Sequence, residues 1–207
     1  MRRFLRHASL AAASLAIVVL SALYLQQRSV AYAVSLGTAY ASLFCLAVTL
    51  GLGPWHALRG RPLPTSSYLR RDFGIWTALF ALVHVGFGLF AHMDGNIWLY
   101  FVRSPPQHAF PWPRIDPFGL TNDLGLAAAL LLLVLLALSN NWSLRRLGAM
   151  RWKAWQRSSY WVAAAIALHA AIYQFLDHRT WAWLFACWAL FALIAGSQWA
   201  ARRPTVR

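Results

Sequence analysis

Six apolar stretches, each about long enough to cross the hydrocarbon core of a bilayer, leave this chain few folds to choose from. By hydropathy they lie near Ala8 to Leu25, Ala33 to Gly53, Phe73 to Ala91, Leu120 to Leu138, Ser158 to Leu176 and Trp181 to Ala200. Charged residues make up only 12% of the chain, against about 25% in soluble domains. Backbone surrounded by lipid must satisfy its own hydrogen bonds. The expected fold is therefore all-α, an integral membrane bundle of six transmembrane helices. The 207 residues are used up by these spans and their connections, so residues 1–207 form a single transmembrane domain. There is no glycine-rich phosphate loop and no room for a separate nucleotide-binding domain.

Charge sets the orientation. With an even number of spans both termini share one face, and that face collects fifteen of the nineteen Lys and Arg residues, among them Arg2, Arg3, Arg6, Arg59, Arg61, Arg70, Arg71, Arg145, Arg146, Arg151, Lys153 and Arg157. The other face holds Arg28, Arg103, Arg114 and Arg179. The positive-inside rule makes the first face cytoplasmic, with both termini inside. The net charge of +14 thus reads as topology and lipid contact. It does not indicate nucleic acid, because the basic residues fall between spans and form no polar stripe.

The first span also resembles a signal peptide, with Arg2, Arg3 and Arg6 ahead of an apolar run and Ala31, Tyr32 and Ala33 as a cleavage-like site. A retained anchor is favoured, because the run is long and Arg28 stands where a cleavage region is normally uncharged. Tryptophans near span ends, such as Trp55, Trp98, Trp142 and Trp181, fit the headgroup belt. Cys45 and Cys187 lie within apolar runs and form neither a CxxC pair nor a CxxCH motif, so they are read as packing residues. The longest outer connection, Met93 to Gly119, is broken by Pro105, Pro106, Pro111, Pro113 and Pro117.

Within this frame two histidines stand out. His84 and His169 lie 13 and 12 residues beyond Arg71 and Arg157, on the third and fifth spans, which run in the same direction. At about 1.5 Å per residue both climb roughly 18 to 20 Å from the same face. Two imidazoles at one depth are able to grip a haem iron from both sides, and ionisable groups within a bilayer are functional by default. Gly74, Gly86 and Gly88 near His84, and Ala163, Ala164, Ala165, Ala167, Ala170 and Ala171 near His169, leave room for a flat macrocycle or for close helix packing. The metal-ligand candidates are thus His84 and His169, with non-covalent haem b as the cofactor. One haem is expected, about 18 to 20 Å from the inner boundary and so somewhat outside the midplane.

His92 lies eight residues past His84, projecting about 80° away and roughly 12 Å higher if the helix continues. It reads first as an interfacial histidine, with ligation of a second haem or contact with a propionate as the other roles open to it. His178 faces away from His169 by the same reasoning. His7, His56 and His108 read as surface groups, and Arg70, Arg71 and Arg157 as residues that orient helices or bind headgroups. The only acids, Asp72, Asp94, Asp116, Asp123 and Asp177, lie near span boundaries. Paired intramembrane carboxylates of a proton-coupled transporter are therefore missing, and no hydrolase motif is present.

Two stretches carry a resemblance. LRRDFGIWTALFALVH, ending at His84, and NWSLRRLGAMRWKAWQRSSYWVAAAIALHAAIY, from Asn141 to Tyr173, resemble the ligand helices of the ferric-reductase-like transmembrane family, which includes the haem-binding membrane subunit of the bacterial periplasmic methionine sulfoxide reductase system. The likeness implies a helical bundle holding b-type haem, with electrons passing from a quinol or flavin donor toward an acceptor across the membrane, and the depth of the iron points to an extracytoplasmic redox partner. It maps His84 and His169 onto axial ligand positions. One departure is clear: where that subunit has histidine in a Trp-x-x-Leu-His-Arg pattern, this chain has Gln156, a poor haem ligand. The expectation is a b-type cytochrome, the electron-transfer part of an oxidoreductase with no catalytic residue of its own. The reading from another class is a haem-free scaffold or accessory subunit in which the histidines only join helices.

Overall fold

The computed structural model describes residues 2–25, 28–61, 67–93, 95–103, 112–178 and 181–201. Expectations placed on Asp94, Pro105, Pro106, His108, Pro111, Arg179, Arg202, Arg203 and Arg207 lie outside the described residues. The elements are α1 (Arg2–Tyr24), α2 (Val30–Leu58), α3 (Tyr68–Ala91), the short α4 (Trp98–Phe101), β1 (Val102–Arg103), β2 (Trp112–Pro113), α5 (Pro117–Leu138), α6 (Asn141–Gln156), α7 (Ser159–Leu176) and α8 (Trp181–Ala200). Five segments are long and apolar enough to cross a membrane: α1, α2, α3, α5 and the joined stretch of α6 and α7. Beside them α8 adds a shorter apolar stretch, Cys187–Ala200. The chain is therefore all-α, with five to six apolar helices compatible with a membrane bundle.

Local chemistry sets where the helices begin. The Ser29 hydroxyl accepts from the Tyr32 N–H and caps α2. Asp116 accepts from the Gly119 N–H and caps α5, with Pro117 in the first turn, where its missing N–H costs nothing. Asn140 caps α6 through the Ser143 N–H. Within α6, Gly148 adopts φ 73°, a left-handed conformation that breaks the helix into two pieces. This basic segment joins α5 to α7.

α2 is the hub. It packs against α1, α3 and α8, while α5 packs against α7 and α3. Its small residues, among them Ala33, Ser35, Gly37, Thr38, Ala41 and Ser42, are buried and let neighbouring backbones approach. By contrast α1 is exposed along nearly all its length. Packing is densest toward the arginine-rich end, where Leu46, Leu50, Ala78, Leu132, Leu135, Val162 and Ile194 form one apolar cluster. Toward the far end the bundle opens into a cavity.

At the arginine-rich end Asp72 is completely buried. Arg3 donates to it from Nε and Nη2 at 3.0 and 2.8 Å, and Arg6 from Nη1 at 2.8 Å. His7 Nε2 lies 3.5 Å from the same carboxylate, and its Nδ1 accepts from Trp76 Nε1 at 3.0 Å. His7 therefore belongs to the latch between α1 and α3, which corrects the reading of it as a surface group. A buried carboxylate requires such partners, because an unpaired one would shed its charge or unfold its surroundings. Arg71, also buried, donates to Asn141 Oδ1 at 2.7 Å and ties α3 to α6.

Candidate cofactor site

His84 on α3 and His169 on α7 face each other. Their ring centroids are 6.2 Å apart and the rings stand nearly perpendicular, at 84°. Each histidine lies seven residues before the end of its helix, which is why parallel helices bring them to one level. Two imidazoles on opposite sides of one metal ion, each nitrogen about 2 Å from the metal and about 1 Å from its own ring centre, put the centroids about 6 Å apart.

The other nitrogen of each ring is committed. His84 Nδ1 lies 2.9 Å from the Ser35 carbonyl and 3.0 Å from the Ser35 hydroxyl, and that hydroxyl also donates to the His84 carbonyl at 3.1 Å. His169 Nδ1 lies 2.9 Å from the Thr121 carbonyl. A carbonyl only accepts, so each Nδ1 carries a proton, and in the neutral form of each ring the lone pair then lies on Nε2. A carbonyl behind the distal ring nitrogen is also the usual support of a metal-binding histidine.

Space is made by a residue that the sequence pattern did not single out. A Cβ at Gly125 on α5 would fall 2.8 Å from both Cε1 and Nδ1 of His169, so the ring fits only against glycine. Of the small residues near the histidines, Gly88 and Ala170 line the cavity, whereas Gly86 faces open space. The cavity measures about 310 Å³, at the lower end of the roughly 300 to 1,000 Å³ of small-molecule sites. Its walls are mainly apolar, with Leu36, Leu43, Ala129, Leu132 and Ile166 beside the two imidazoles.

Its far end is polar. Tyr173, four residues past His169, packs tilted against that ring with centroids 4.9 Å apart and donates to Asn122 Oδ1 at 2.6 Å. Tyr100 is buried and donates to the Gly88 carbonyl. Burial pushes its phenol above the ordinary value of 10.0; the His92 N–H opposes this and the Asp177 charge adds to it, both more weakly.

His92 also lines this end. α3 stops at Ala91, and His92 takes φ −121° as its C-cap, so the rotation of a continuing helix no longer applies. The His92 ring packs against Tyr32, Phe118 and Tyr173 at 5.7, 6.3 and 5.9 Å, and its Nε2 lies 3.9 Å from Asp177 Oδ1. Ser35, Thr121, Gly125, Asn122 and Asp177 thus complete the site around the histidines. Only a glycine four residues past Thr121, on the same helix face, could have hinted at this from sequence. Among the described residues no group of three or more His, Cys, Asp or Glu side chains could hold a bare metal ion.

A bundle of apolar helices with two inward-facing histidines at one level belongs to a recognisable class, and the comparison with known families agrees. Residues 36–168 match the ferric reductase like transmembrane component family, and the chain belongs to that family. The matched stretch includes His84 and ends one residue before His169. Among characterised relatives, the protein-methionine-sulfoxide reductase heme-binding subunit MsrQ of Bordetella pertussis is 27% identical over 136 residues, covering 62% of this chain and 55% of the relative. The same figures hold for the MsrQ proteins of Bordetella parapertussis and Bordetella bronchiseptica. The chain spans about half the length of the curated relatives it matches. No solved structure matches it.

Proposed function

We propose that this chain is a membrane-embedded b-type cytochrome that relays electrons through one haem held between His84 and His169. The observation that carries this reading is the arrangement of the two imidazoles. They face each other across a cavity wall with centroids 6.2 Å apart, and each Nδ1 is turned to a backbone carbonyl. The donor set fits the group, since the imidazole nitrogen is an established axial ligand of haem iron. The haem would supply one-electron redox chemistry. The chain's own residues would do the rest: Ser35 and Thr121 orient the rings, Gly125 admits one of them, and the apolar walls exclude water and disfavour charge.

A single haem is the reading for this chain. Thirteen residues before His84 and His169 stand Arg71 and Gln156, neither of which ligates iron. His92 faces Asp177, and a carboxylate is not among the usual haem ligands. The further reading comprises six crossings, both termini on the arginine-rich cytoplasmic face of a bacterial membrane, and an acceptor on the opposite side. The cavity lies toward that opposite end and the arginine-rich end is closed by packing. Electrons would come from a separate quinol or flavin donor and go to an extracytoplasmic redox protein. The relatives' designation as a subunit of a methionine sulfoxide reductase suggests a catalytic partner of that kind.

The test is a reduced-minus-oxidised spectrum of the purified protein. Sharp b-type bands, lost in both His84→Ala and His169→Ala while the protein still folds, are the expected result. A colourless but stable wild-type protein would instead favour the scaffold, in which the T-shaped histidine contact simply joins α3 to α7.

A further inference from the structure

The two halves of the site repeat themselves one step beyond the paired imidazoles. Eight residues past His84 is His92, and eight residues past His169 is Asp177, a step of about 12 Å toward the far end of the bundle. Each is the C-cap of its helix. Like the histidines before them, the two face each other, with His92 Nε2 3.9 Å from Asp177 Oδ1. Asp177 also accepts from the Tyr32 phenol at 3.2 Å, so its carboxylate is held in place. A carboxylate at a helix C-terminus opposes the helix dipole, whereas an imidazolium there is favoured by it. Two such termini meeting at one histidine and one carboxylate make a place built to accept a positive charge.

We infer that His92 and Asp177 form a proton-loading pair at the mouth of the cofactor cavity, so that reduction of the site draws one proton from the far side onto His92. This rests on the haem reading above and gives His92 a positioning role rather than a ligand's. The balance is simple: one electron from the membrane donor enters the site, one proton from water adds to the His92 ring nitrogen, and both leave on reoxidation. No other bond changes. The imidazolium is held by Asp177 and partly offsets the negative charge that the electron brings into an apolar cavity, where charges are poorly screened.

The nearby acid at the start of α5, Asp116, is engaged by Arg103 and Arg114. From α2, His92 meets Tyr32, with Arg28 over the other ring at 5.3 Å. From α5 it meets Phe118, against which Arg114 lies at 4.5 Å. α7 brings Tyr173 and Asp177, and α4 brings the Tyr100 phenol to the His92 backbone N–H. Tyr173 stands between His92 and His169, separating the proton site from the ligand ring. Both lie at span ends rather than mid-span, and the His92 side chain is 26% exposed and that of Asp177 12%.

Spectroelectrochemical titration of the purified holoprotein from pH 5.5 to 8.5 tests this without any assay of turnover. The wild-type midpoint should fall as pH rises, toward the limit of 59 mV per tenfold drop in proton concentration for a one-electron, one-proton couple. His92→Gln should remove most of that slope while leaving the b-type spectrum intact. Asp177→Asn should move the bend in the curve to lower pH by a unit or more, because the carboxylate that favours the imidazolium is gone. Tyr32→Phe, which keeps the ring but loses the phenol, should keep the slope. A coloured wild-type protein with a flat midpoint overturns this inference alone, as does a slope that survives in His92→Gln or a bend unmoved in Asp177→Asn. If His92→Gln loses its haem, the Asp177→Asn bend decides. A colourless wild-type protein overturns the haem reading itself.

Discussion

The hairpin of α2 and α3 and the hairpin of α5 and α7 solve the same problem by different means. In each, the first helix offers a carbonyl near its start to the Nδ1 of a histidine on the returning helix, 49 residues later in one case and 48 in the other. The first hairpin fixes its ring with hydrogen bonds, because Ser35 adds a hydroxyl to the carbonyl. The second fixes its ring by shape, because Gly125 leaves room for His169 and nothing larger. Orientation of an inward-facing imidazole thus need not come from one kind of contact. The two halves should accordingly fail under different substitutions.

The largest difference should appear at the glycines. Gly125→Ala pushes a methyl group to 2.8 Å from the His169 ring, and overpacking of this kind costs about 1 to 3 kcal/mol. The ring cannot retreat without losing the Thr121 carbonyl, so haem retention should drop by roughly tenfold or more, about 1.4 kcal/mol per factor of ten. Gly86→Ala in the first hairpin meets nothing within 4 Å and should leave retention unchanged. The ratio of Soret to protein absorbance after detergent washing distinguishes the two. Equal behaviour of both variants would end the claim that shape holds His169.

This asymmetry was only half legible in the sequence. His84 and His169 could be found because both are ionisable groups in apolar runs, at matched distances from arginines on parallel spans, and geometry turns those distances into depth. Their supports could not be found, since the partners are backbone carbonyls of Ser35 and Thr121, and every residue has a carbonyl. For His92 a helical projection does not fix the direction of the ring, because α3 ends one residue before it. His7 reads from sequence as a surface group because it stands at a span end, whereas it packs into the α1–α3 latch. The same Arg3 and Arg6 that carry the topology signal also bind Asp72, a tertiary contact across 66 and 69 residues that hydropathy does not reveal.

A smaller effect separates the hydroxyls. Ser35→Ala removes the Oγ contacts to His84 but keeps the Ser35 carbonyl, so the expected loss is about 0.5 to 1.5 kcal/mol. In the second hairpin Thr121 is also fully buried, yet among the described residues its Oγ1 has no hydrogen-bond partner. Thr121→Val therefore removes a group whose burial is uncompensated, and it should be neutral or stabilising by up to about 1 kcal/mol. Thermal loss of the Soret band gives the order: Ser35→Ala below wild type, Thr121→Val at or above it. The reverse order would mean that Thr121 holds His169 through its side chain and not only through its backbone.

The smallest effect lies at the starts of the two hairpins, where one cap can titrate and the other cannot. α2 begins at the neutral hydroxyl of Ser29, and α5 at the carboxylate of Asp116. The Gly119 N–H, followed by Arg114 and Arg103, holds the Asp116 carboxyl below its ordinary value of 3.8. A depressed carboxylate stabilises the fold above the unfolded value and loses that contribution as pH falls through the folded one. Acidification from pH 6 to pH 3 should therefore loosen the first turn of α5 by about 0.5 kcal/mol, the scale of an exposed charge at a helix N-terminus, and leave α2 unaffected. Hydrogen exchange at Gly119 and Leu120, compared with Tyr32 and Ala33, measures it. In Asp116→Asn, which caps without a charge, the exchange at α5 should lose its added acid sensitivity. If both starts loosen together, the acid effect belongs to the whole bundle and the difference between the caps carries no weight in it.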